Sequence, residues 1–174
     1  AIFELPTLNK LGEYETKTGR GDVVAQGDHA YIWDGSLHVV DVSDPAEISK
    51  LIKFPNHWTG IHLALDGDHL YVMGMAHSNA LIVYDISDPA LPVELSYTKV
   101  PGPGRDLTVR DGYLFAAGVD FGLRVFDVHD PAAPVELENT PTVSFAWGLD
   151  VWGDLAVIAD GYGLLQVIRL GCAP

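Results

Sequence analysis

Val39-Val40-Asp41-Val42-Ser43-Asp44-Pro45 decides the fold of this chain, because it comes back. It returns as Ile82-Val83-Tyr84-Asp85-Ile86-Ser87-Asp88-Pro89 and as Val125-Phe126-Asp127-Val128-His129-Asp130-Pro131. Asp41 and Asp85 stand 44 positions apart, Asp85 and Asp127 42. A further 42 reaches Arg169, in Leu165-Gln166-Val167-Ile168-Arg169-Leu170, which keeps the apolar run but loses both the Asp and the Asp-Pro. A second marker runs in phase: Gly27-Asp28-His29, Gly67-Asp68-His69, Asp111-Gly112-Tyr113 and Gly153-Asp154-Leu155. A period just over 40, built of short apolar runs without a helical stretch, is the signature of propeller blades.

Each unit reads as four strands. In the first, an inner strand over about 22–26 meets a tight Gly27-Asp28 turn, which suits a hairpin. A second strand spans about 29–33 and a third about 37–42. Ser43-Asp44-Pro45 then stops the chain, since Asp bonds its own downstream backbone and Pro removes a ladder donor. An outer strand follows over about 47–54. The Val/Ile/Leu/Tyr/Phe runs have strand rather than helix length. The expected architecture is an all-β propeller of four four-stranded blades in a single domain, residues 1–174. The blades cover about 17–54, 55–98, 99–140 and 141–170. The segment 6–15, comparable with Pro92–Tyr97, is expected to supply the outer strand missing from the fourth blade and to hide an open edge. That closure would occur within one chain, or between two chains as an eight-bladed homodimer, or the chain is part of a larger propeller.

The apolar-apolar-x-Asp-Val/Ile-Ser/His-Asp-Pro-Ala runs, with Pro-Val-Glu-Leu at 92–95 and 134–137, resemble the LVIVD-repeat family of β-propellers. The resemblance covers nearly the whole chain and implies the fold, with no common chemistry. Such repeats occur in varied, often exported bacterial proteins, so it also implies a periplasmic or extracellular location.

Composition narrows the function classes. Hydrophobic residues make up 48% and aromatics 10%, as in a globular fold. The formal net charge of −14 argues against nucleic acid and anionic membranes, whose binding rests on Lys and Arg. No apolar run approaches the length of a membrane span. Cys172 is the sole cysteine, so no intrachain disulfide is expected. The chain starts at Ala1 rather than Met and is expected to have been processed or trimmed.

In a repeat protein, residues shared by all copies mostly serve the scaffold, and those unique to one copy are better functional candidates. Asp41, Asp85 and Asp127 are equivalent and are expected to bond backbone in a neighbouring turn. The departures lie in loops expected on one face: Arg20, His57 and Trp58, Arg105, Phe145 and Trp147, joined by Trp33, His77, Asp120 with Phe121, and Asp160 with Tyr162. His57, Trp58, Arg105, Trp147, Arg20, Phe121 and Tyr162 form the expected binding surface for a protein or glycan, aromatic and Arg side chains being typical of hot spots. The inner strands open with Asp22, His62, Asp106 and Gly148. Asp22, His62 and Asp106 are candidate ligands for a divalent metal at the mouth of a channel, or acid/base groups of a hydrolase or lyase. No HExxH, CxxC or GxSxG spacing accompanies them, so the expected function is non-catalytic binding.

Overall fold

The structure is a computed structural model that describes residues 10–16, 21–55, 59–75 and 79–171. Four antiparallel sheets follow one another along the chain. The first contains β1 (Asp22–Gln26), β2 (His29–Trp33), β3 (Ser36–Asp41) and β4 (Ser49–Pro55). The second contains β5 (Thr59–Asp66), β6 (His69–Met75), β7 (Ala80–Asp85) and β8 (Val93–Lys99). The third contains β9 (Gly104–Arg110), β10 (Tyr113–Gly118), β11 (Gly122–Asp127) and β12 (Val135–Thr140). Among the described residues the fourth holds only β13 (Ala146–Trp152), β14 (Leu155–Asp160) and β15 (Leu164–Arg169), with one 3-10 turn at Gly161–Gly163. Every sheet is a meander, each strand pairing with its sequence neighbour.

Local chemistry explains the repeated unit. The hairpin turns need left-handed backbone: Gly27 has φ of 58°, and in the third copy, where the order is Asp-Gly, Asp111 and Gly112 have φ of 51° and 76°. Two positive φ values in succession are what a type I′ turn requires. Just beyond the motif strand, the Val42 N–H donates to the Asp28 carbonyl at 2.8 Å. Ile86 to Asp68, Val128 to Gly112 and Leu170 to Asp154 repeat this bond in all four copies, so the fourth unit keeps it without the Asp-Pro.

The Asp residues of the motif bond their own turns. Asp41, Asp85 and Asp127 accept the N–H two residues on, at 2.8, 2.8 and 3.0 Å. Asp44, Asp88 and Asp130 do the same to Ala46, Ala90 and Ala132. Hydrogen bonds to Ser43, with its hydroxyl first and its N–H second, hold the Asp41 carboxyl below its ordinary range. The Ser87 and His129 N–H groups, followed by their side chains, do the same for Asp85 and Asp127. These carboxylates are structural, but the partner is their own turn rather than the neighbouring one expected, because the N–H two residues on lies within reach of each.

The sheets stack face to face, with β1 against β5, β5 against β9 and β9 against β13. These four strands are therefore the inner edges. Tyr31, Trp33, Leu37 and Val39 of the first sheet pack on Leu63, Leu70, Val72 and Ile82 of the second. Tyr71, Met73, Leu81 and Val83 then meet Leu107, Leu114 and Phe126 of the third, and Phe115, Ala117 and Leu123 meet Ala156 and Ile158 of the fourth. Both faces of the motif strands are covered, which is why they read as continuous apolar runs rather than alternating ones.

The fourth unit differs from the expected blade. Residues 10–16 of the segment expected to be its outer strand form no strand, and β15 has no partner on its outer side among the described residues. Residues 6–9 of that segment lie outside the described residues. Residues 10–16 rest on the first sheet instead. A Cβ placed on Gly12 would fall 1.7 Å from the Pro45 carbonyl oxygen, and the Tyr14 hydroxyl meets Nδ1 of His38 at 2.9 Å.

Candidate functional site

Asp22 opens β1, whereas His62 lies three residues, and Asp106 and Gly148 two residues, inside β5, β9 and β13; the stacking of these strands sets Asp22 beside His62. Asp22 Oδ2 accepts the Leu63 N–H at 2.9 Å, and Asp106 Oδ2 accepts the Leu149 N–H at 2.8 Å. Each carboxylate thus ties its sheet to the next one. At the opposite end of the same strands the Gln26 amide donates to the Gly67 carbonyl at 3.0 Å, and the Arg110 guanidinium to the Val151 carbonyl at 3.3 Å. The first-to-second and third-to-fourth junctions are therefore clamped at both ends.

His62 occupies the Asp position at the second-to-third junction. Its Nδ1 lies 3.9 Å from Asp22 Oδ2, too far for a hydrogen bond. Burial pushes its pKa down; Asp22 and Asp106 pull the other way, and Arg105 adds to the depression. The ring is accordingly neutral at neutral pH. Among the described residues no three His, Cys, Asp or Glu side chains converge closely enough to share a metal ion.

Beside this ring Arg105 reaches over the next sheet. Its guanidinium carbon sits 4.7 Å from the Trp147 ring centroid, and its Nε is buried without a hydrogen-bond partner. Trp147 keeps half of its surface open, at 52% exposure. Val143 and Phe145, in the loop that leads into β13, are also exposed. One cation of β9 thus covers an exposed indole of β13, and two further exposed apolar side chains precede that indole in the chain.

Two of the expected loop pairs lie side by side: the Val119 N–H donates to the Pro103 carbonyl and the Gly161 N–H to that of Phe145. Phe121, however, is a core residue. It is 4% exposed, presses on Gly118 and lies under the Arg124 guanidinium, so it offers no ring to a ligand. Trp33 is buried between the first and second sheets. Asp160 is buried too, accepting from the Ser144 N–H at 2.9 Å and from the Gln166 amide. Arg20, His57, Trp58 and His77, the Tyr162 side chain and Cys172 lie outside the described residues.

One group escaped the reading of the sequence. His38 is buried, with Tyr14 on Nδ1 and Asp34 on Nε2, both at 2.9 Å. The signal was present: the equivalent positions hold Ile82, Arg124 and Gln166, so His38 is unique to its copy.

Meander sheets stacked through their inner strands define a β-propeller. The chain belongs to the LVIVD repeat family, whose model matches residues 20–52, 61–98 and 101–142, more than half of its length. Comparison with curated proteins finds no match. Among solved structures, the computationally designed Ika4 protein is similar at a TM-score of 0.75 and 15% identity, over 95% of this chain and 100% of that one. The designed Ika8 protein gives a TM-score of 0.69 at 14% identity, over 85% of this chain and 45% of that one. BamB from Moraxella catarrhalis gives 0.61 at 12% identity, over 86% of this chain and 43% of that one. The chain thus spans less than half the length of Ika8 and of BamB, and these likenesses concern the fold. No helix among the described residues is long and apolar enough to cross a membrane.

Proposed function

We propose that this propeller is a non-catalytic binding module that engages a protein through the loop face around Arg105 and Trp147. The observation that carries this reading is the half-exposed indole under a guanidinium whose Nε has no partner, with exposed Phe145 and Val143 just before it in the chain. A stacked Arg keeps its remaining donors free for an acidic group, and Trp with Arg is the commonest hot-spot chemistry. Apolar Val143 and Phe145 favour a protein over a glycan. The engagement of Asp22 and Asp106 with backbone N–H groups supports a scaffold role for them rather than acid/base work. In this reading an N-terminal segment, of this chain or of a second copy, supplies the outer strand of the fourth blade. The location belongs to the proposal as well, in the periplasm or outside the cell.

The test is panning of a displayed random-peptide library on the folded chain, against a Trp147→Ala, Arg105→Ala double variant. Acidic-aromatic peptides enriched on the parent and lost on the variant are expected. Peptides that bind both equally would overturn the reading, as would a glycan array that gives the only signal dependent on Trp147.

A further inference from the structure

The two ends of the stack are complementary surfaces. The open face of the fourth sheet is fixed by register: Trp152 pairs with Leu155, and Val157 with Val167. Their equivalents in the third sheet, Phe115 and Val125, face the fourth sheet. In the fourth sheet nothing covers that side among the described residues: Trp152 is 76% exposed, Leu165 68% and Val167 58%. Trp152 also stands where Gln26 and Arg110 stand in the first and third sheets, at the end of the inner strand that clamps the next sheet.

A groove of about 710 Å³ lies alongside, between the third and fourth sheets, lined by Val125, Leu137, Glu138, Ile168 and Leu170. It sits where the outer strand of a fourth blade belongs, next to the edge of β15 that is unpaired among the described residues. An exposed strand edge beside an apolar groove is a template for strand addition.

At the other end the first sheet shows the opposite half. Val23 is 59% exposed. Farther out, Lys10–Thr16 lies on the sheet as the outer strand of a preceding blade would. In the second sheet, Ser96 of the outer strand β8 touches the Pro131 carbonyl of the next sheet's Asp-Pro turn at 2.9 Å. Gly12 abuts the Pro45 carbonyl of the first sheet's Asp-Pro turn in the same way. The blade that this strand should finish is absent beside it: among the described residues no strand of the first sheet packs substantially on any strand of the fourth.

We propose that the fourth sheet docks on the first sheet and N-terminal segment of a second copy, whose Lys10–Thr16 region adds to β15 and fills the groove. The contact continues the series already made by the first three junctions. Two copies that make it reciprocally close into a ring of eight blades with two-fold symmetry, in which each chain's N-terminal segment completes the other's last blade. The segment stays seated on its own first sheet, so closure needs no rearrangement within either chain.

Light scattering after size exclusion at micromolar concentration tests this. The expected mass is about twice the 18.8 kDa of one chain. Trp152→Glu and Val23→Asp, each folded by near-ultraviolet circular dichroism, should both run as monomers. An equal mixture of the two variants should recover dimer, because one of its two junctions then has both faces intact. The Arg105→Ala, Trp147→Ala variant should keep the dimer mass, which separates this proposal from the binding reading. A parent mass of one chain, a mass above two, or a dimer that neither substitution weakens would each overturn the proposal.

Discussion

The Tyr14 hydroxyl meets Nδ1 of His38 at 2.9 Å, while Nε2 of the same ring meets Asp34 Oδ1 at 2.9 Å. The N-terminal segment is thereby bonded to a buried histidine of the first sheet. Burial, with Asp34 adding to it, raises the Tyr14 pKa, so the phenol keeps its proton at all physiological pH. Tyr14→Phe leaves Nδ1 buried without a partner. The expected loss of stability is about 1–2 kcal/mol, the cost of one orphaned buried polar atom. Urea denaturation at pH 7 measures it, and an unchanged midpoint would show that the segment contributes nothing to the first sheet.

The inter-sheet clamps predict where substitution is costly. Asp106→Ala removes the acceptor of the Leu149 N–H and frees the inner end of β13 from β9. A hydrogen bond to an ionised group contributes about 1.5–3 kcal/mol, so thermal unfolding should fall by several degrees. Asp22→Ala should behave alike through the Leu63 N–H. Glu47→Ala, an exposed residue of the turn before β4 and outside these clamps, is the comparison. If Asp106→Ala unfolds at the same temperature as the parent, the clamp carries no stability.

The fold could be read from the sequence because each repeat states it again. Gly27-Asp28 marks the turn between strands expected at about 22–26 and 29–33, and β1 and β2 occupy those residues. The third strand runs Ser36–Asp41, one residue ahead of the expected 37–42, because Ser36 pairs with Pro55 before the apolar run begins. The site was less legible. Phe121 looked like a loop aromatic by its departure from the repeat, yet the chain turns it inward under Arg124, a contact that depends on tertiary packing. From the sequence, Asp22 and Asp106 read as candidate metal ligands or acid/base groups. Only the approach of the next sheet's backbone shows which N–H groups they serve.

Gly104 opens β9 with the side chain of Met73 directly above it. A Cβ built there would lie 2.3 Å from the Met73 sulfur and 2.5 Å from its Cγ. Met73 is 1% exposed and has little room to move away. Gly104→Ala should therefore overpack the second-to-third junction and cost about 1–3 kcal/mol. Combining it with Met73→Val, which vacates the space above the new methyl, should cost less than the two single substitutions added together. Denaturation of all four proteins under one condition gives the coupling. Strict additivity would mean that the Met73 side chain yields freely.

His62 gives the pH dependence its sign. In the unfolded chain its pKa is near 6.5, and in the folded protein it is lower, chiefly through burial. The unfolded state therefore binds more protons across the interval between the two values, and stability falls as the pH drops through it. The histidine's contribution is fully present above about pH 7 and is lost on acidification toward the folded value, below which it changes no further. The Asp41, Asp85 and Asp127 carboxyls act in a separate, more acidic window. Their folded pKa values lie below the ordinary 3.8, so their stabilisation is lost only as the pH falls beneath that value. Denaturation midpoints at pH 7.5 and 5.5 should thus differ in the parent and differ less in His62→Gln, in which no ring titrates between Asp22, Asp106 and Arg105. An equal drop in both proteins would assign the sensitivity to another group and remove His62 as the titrating residue of the channel mouth.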